Sequence, residues 1–131
     1  MKINVFALLA TIVVQFVVGY MWYGTHMFGG VVSIGDHGID FLKLDVLSLL
    51  LIIFSSYGLN HILEVLVKAT GTKDIGGATK LGLTYGTFGI GLPIVMLLNL
   101  MGLGHVALLV VFTHIVVVSI MASIIVIKLK K

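Results

Sequence analysis

Four runs of apolar residues, each long enough to cross a bilayer, make up most of this chain. They fall at about 4–24, 44–67, 78–101 and 106–127. A helix needs roughly 20 residues to cross ~30 Å of hydrocarbon. Inside lipid the backbone must satisfy its own hydrogen bonds, so each run is predicted to be a helix. The many Val and Ile residues would otherwise favour strands. The expected fold class is therefore all-α: an integral membrane four-helix bundle, built as one membrane domain over residues 1–131.

Composition supports the same conclusion. Hydrophobic residues make up 60% and charged residues 10% of the chain, whereas a soluble domain carries about 25% charged residues. A soluble globule of this size has too little interior to hide so much apolar surface. A soluble enzyme, a disordered chain and a nucleic-acid-binding module are excluded on that ground. There is no cysteine, which excludes disulfides, cysteinyl metal sites and covalently attached haem.

The lysines set the expected orientation. Lys2, Lys68, Lys73, Lys80, Lys128, Lys130 and Lys131 fall on one side of the predicted bundle, and only Lys43 on the other. The positive-inside rule then places both termini in the cytoplasm, in a multi-pass protein of the cell membrane. Met1-Lys2 and the apolar run after it look like a secretory signal. No small-x-small cleavage site closes that run, so it is read as an uncleaved first span. Gly102–His105 is a short link, and spans three and four are expected to form a tight antiparallel hairpin. The longer link between spans one and two is expected to be irregular or a short surface helix.

The first thirty residues carry Asn4, Ala7, Phe16, Gly19, Trp22, Tyr23, Phe28 and Gly29 in a distinctive spacing. With its Gly-x-x-Trp-Tyr motif and Phe-Gly pair, the chain resembles the family of small prokaryotic four-span membrane proteins catalogued as domain of unknown function 1761. Gly24-Thr25-His26 stands where that family usually has Pro, and Gly30-Val31 where it usually has a second Trp. The resemblance implies four spans and brings no activity with it.

Several intramembrane residues are candidates for chemistry or for packing. On span three, Ala78, Gly82 and Gly86 lie four apart, with Gly89 and Gly91 beyond. Such a small-residue stripe lets helix backbones approach closely. It serves either packing against spans one or four of the same chain, the favoured reading, or a homo-oligomer interface. Pro93 is predicted to kink this span.

Span two is the most polar. Ser56, Asn60 and Glu64 share a face, with Tyr57, His61 and Lys68 beside them. By the helical rise, Glu64 lies ~13 Å and His61 ~8 Å from the midplane. Glu64 is expected to form an ordinary i,i+4 pair with Lys68, although His61 and Glu64 are also close enough in sequence to meet. Gln15 on span one and His114 on span four lie near the midplane. Both are expected to point inward, where they can meet each other in a polar track with Asn60, His61 and Glu64. Haem ligation by His61 and His114 is disfavoured by a depth difference of ~12 Å. His26, Asp36, His37 and Asp40 in the first link have metal-ligand chemistry but no fixed motif spacing, and a solvated loop is the favoured reading.

No nucleophile elbow, phosphate loop or paired carboxylates appear. The expected function is that of a structural or accessory subunit acting through helix–helix packing, without enzyme activity or cofactor. Its expected partners are the lipid bilayer and either further copies of itself or a larger membrane protein, with no nucleic acid. The alternative is an oligomeric permeation protein for protons, cations or small solutes. In that alternative His114 is a proton acceptor or gate, His61 a relay and Glu64 a cation-attracting mouth. A haem- or metal-binding membrane protein is a more distant alternative.

Overall fold

A computed structural model describes residues 4–23, 33–34, 37–38 and 46–129. Helix α1 runs over Val5–Tyr23, α2 over Val46–Thr70, α3 over Ile75–Thr84, α4 over Leu92–Leu100 and α5 over His105–Lys128. A π-helical segment, Tyr85–Gly91, joins α3 to α4, so Ile75–Leu100 forms one continuous third span. Each of the four resulting helices is long and apolar enough to cross a membrane. Outside them, among the described residues, a two-residue antiparallel strand pair sits in the first link. It matches Ser33 with Gly38 and Ile34 with His37, where an irregular stretch or short helix was expected.

Two boundaries lie beyond the ends of the apolar runs. Helix α2 continues to Thr70, and α3 starts at Ile75 rather than Ala78. The turn between them explains both. Gly71 adopts φ +64°, and Thr72 N–H returns to the Val67 carbonyl at 3.2 Å, closing the end of α2. Asp74 then caps α3 by accepting from the Gly77 N–H at 2.7 Å. Hydropathy alone ends a span where lysines begin, but helical hydrogen bonding continues past them. The hairpin between spans three and four turns in the same way, with Gly102 at φ +87° and Leu103 N–H on the Leu98 carbonyl at 3.1 Å.

Span four is the centre of the bundle. It packs against span one, span two and both halves of span three. The main core joins Leu59, Leu63 and Val67 of α2 to Val118, Ala122 and Val126 of α5. Both sets repeat at three- and four-residue spacing, as one face of a helix requires. A smaller cluster at the other end holds Ala107 and Val110, with Trp22, Leu103 and Val111 packed on it. Asn4 caps α1 through the Ala7 N–H and also donates its amide to the Leu129 carbonyl. The start of span one and the end of span four therefore lie at the same end of the bundle.

Pro93 shapes span three. A proline ring has no N–H to donate and displaces the carbonyl four residues before it, here that of Gly89. The chain answers with wider turns just upstream. The Leu92 N–H reaches back five residues to the Thr87 carbonyl, the bonding pattern of a π-helix.

Candidate functional site: the interhelical polar seams

Two polar knots tie span one to span two. Thr11 is fully buried and donates to Asn60 Oδ1 at 3.1 Å. The Asn60 amide in turn donates to the Ala7 carbonyl at 3.3 Å. About one turn further along, Ser55 Oγ lies 3.1 Å from both Gln15 Oε1 and its own Ile52 carbonyl. A third tie holds span one to span four: Trp22 Nε1 donates to the Val110 carbonyl at 3.1 Å. That carbonyl also receives the Thr113 hydroxyl at 3.0 Å. In an apolar surrounding each of these groups has a strong preference for a partner over none.

Span three meets span four through small residues. A Cβ built on Gly82 would stand 2.6 Å from Ile120 Cα and 2.7 Å from the Ser119 carbonyl oxygen. One on Gly86 would stand 2.9 Å from Ser119 Cβ and 3.1 Å from Val116 Cα. Ala78 is fully buried on the same stripe. Gly89 departs from it: a Cβ there would strike the ring of Tyr85 on its own helix, at 2.6 Å. The π-helical turns shift the phase, and Gly91 takes the next place against span four, under the ring of Phe112. Facing these glycines, α5 presents Phe112, Val116, Ser119 and Ile120, and Ser119 is buried.

The ionisable residues lie apart from these knots. Glu64 pairs with Lys68 at 2.8 Å, with 24% and 52% of the two side chains exposed. His61 is exposed and stacks on Tyr57, their ring centroids 6.3 Å apart and their planes 7° from parallel. His114 is half-buried beside Trp22, 6.4 Å between centroids. Gln15 meets Ser55 of span two at 3.1 Å. His61 and His114 are also separate. Asn60, next to His61, is level with Thr11, whereas Trp22 lies ~16 Å further along span one by the helical rise. Gln15, Asn60, His61, Glu64 and His114 thus fall into separate groups, each with its own neighbour.

Sequence reasoning singled out Gln15 and Asn60 but not their partners Thr11 and Ser55. A hydroxyl in a helix can bond its own preceding turn, so it stands out little in an apolar run. Ser119, which packs against Gly82 and Gly86 of span three, was missed as well.

In the resemblance motif, Asn4 is the α1 cap, Gly19 is buried and Trp22 bonds span four. Tyr23 ends α1, and its side chain lies outside the described residues, as do Phe28 and Gly29. His26, Asp36, Asp40 and the His37 side chain lie outside them too. Among the described residues no three His, Cys, Asp or Glu side chains come together. Comparison with family models, curated proteins and solved structures finds no match.

Proposed function

We propose that this chain is a multi-pass protein of the cell membrane that works as a structural or accessory subunit through helix–helix packing. Both termini face the cytoplasm in this reading. It has no enzyme activity and no cofactor of its own. Its surroundings are lipid and other membrane-embedded helices. Membership in the family of domain of unknown function 1761 is part of the proposal and adds architecture only.

The observation that carries it is how the interhelical polar groups are used. Asn60 is closed by Thr11 and the Ala7 carbonyl, Gln15 by Ser55, and Trp22 by the Val110 carbonyl. A permeation path instead needs polar groups that line a way through and exchange partners with the solute. Here Asn60, Gln15 and Trp22 hold helix to helix, as polar residues in membrane bundles commonly do.

The test is flux in proteoliposomes. Vesicles carrying the wild-type chain are expected to leak protons and cations no faster than protein-free vesicles. His114→Ala and Glu64→Gln are expected to leave that leak unchanged. A wild-type flux that either substitution abolishes would overturn the packing reading in favour of permeation.

A further inference from the structure

The outward face of span two carries a row of side chains that pure lipid does not suit. Leu50, Phe54, Tyr57, His61, Glu64 and Lys68 alternate spacings of four and three along α2. They occupy one flank of the helix, beside the buried stripe Ser56, Leu59, Leu63 and Val67. Phe54 is 68% and Tyr57 43% exposed. Tyr57 and His61 stack on one another but make no hydrogen bond to any other described residue.

Their depth makes this costly. By the apolar run 44–67, Tyr57 lies ~2 Å and His61 ~8 Å from the midplane, with Glu64 ~13 Å out toward the headgroups. Polar and ionisable groups at the depth of Tyr57 and His61 normally face another helix.

We infer that this flank of span two is the contact with a second copy of the chain, in a parallel pair about a two-fold axis along the membrane normal. The inference rests on the packing reading above and names its partner. A second copy fits this flank. The alternating four–three spacing marks one helix face, and a parallel partner can interlock along it. Two copies of one chain also insert the same way up, so their second spans run parallel. Apolar Leu50 and Phe54 then meet their own counterparts, and the polar half meets the polar half.

The flank is also self-complementary. A neutral histidine has one donor and one acceptor, and a tyrosine hydroxyl has both. Two His61–Tyr57 pairs can therefore satisfy each other. The small-residue stripe of span three, the other candidate interface, is already occupied by Ser119 and Ile120 of span four.

The chain has no cysteine, so single introduced cysteines report contacts without ambiguity. Oxidative cross-linking in native membranes is expected to give covalent dimers from Phe54→Cys, Tyr57→Cys and His61→Cys. Leu51→Cys and Ile62→Cys, on the opposite flank of the helix, should stay monomeric. Monomers at every position, or stronger cross-linking at Leu51 and Ile62, would overturn the proposal. So would cross-links from Tyr57→Cys and His61→Cys to a different polypeptide only.

His61→Leu gives an independent reading in detergent. In a polar contact it should lower the dimer-to-monomer ratio by about tenfold without changing the melting of the monomer. An unchanged or higher ratio would mean that His61 faces lipid, and would sink the idea. A dimer formed through another span overturns this contact while leaving the packing reading intact; ion flux alone overturns the packing reading.

Discussion

Gly82→Leu is expected to destabilise the bundle by about 3 kcal/mol or more, at the top of the range for overpacking. The atoms in the way are backbone: Ile120 Cα and N and the Ser119 carbonyl oxygen, all within 3 Å of where the Cβ would stand. A flexible side chain could swing aside; a helix backbone cannot. Spans three and four would have to separate along their contact, taking Ala78 and Gly86 with them. Gly58→Ala is the matched control. It lies in α2 with nothing within 4 Å of its added Cβ. It should gain up to about 1 kcal/mol from helix propensity alone. Reversible unfolding in mixed micelles measures both. If Gly82→Leu unfolds like the wild type, the close approach of spans three and four is wrong.

Asn60→Leu should cost about 1–2 kcal/mol, more than any other single polar replacement in the bundle. It leaves the buried Thr11 hydroxyl without its acceptor and takes the side-chain donor from the Ala7 carbonyl. The double variant with Thr11→Val isolates the pair. Once Asn60 is gone, losing the Thr11 hydroxyl should cost little, so the two changes should fall well short of additive. Strict additivity would mean that Thr11 and Asn60 do not meet. Glu64→Gln should change stability far less, since its partner Lys68 is half exposed and such pairs contribute little.

The positions of the spans were legible because apolar length is so strong a constraint in lipid. The Glu64–Lys68 pair was legible too, because a four-residue spacing on a helix needs no tertiary information. What joins one span to another was not. Gln15 and His114 share a depth, but depth does not set the azimuth of a side chain, and Gln15 turned toward Ser55. Gly89 matched the small-residue stripe by spacing, yet the π-helical turns rotated it onto Tyr85. Gly86-x-x-Gly89-x-Gly91-x-Pro93 held the clue, since three glycines just before a proline leave the backbone free to widen.

Those wide turns mean that span three is two rods rather than one. Below Tyr85 and above Gly91 the chain is ordinary α-helix, and each part has its own rotational setting against span four. A π turn can travel along a helix one residue at a time, and each step turns only the residue it passes, by about 100°. The setting seen here keeps Gly82, Gly86 and Gly91 on one line despite their unequal spacing. Loss of a single residue between Tyr85 and Gly91 would close the wide turns into ordinary α-helix, and equal four-residue spacings would then hold the same glycine line against span four. Leu92–Leu100 would keep its present setting. This segment is thus where the sequence can drop one residue and leave both halves of the span in register with span four.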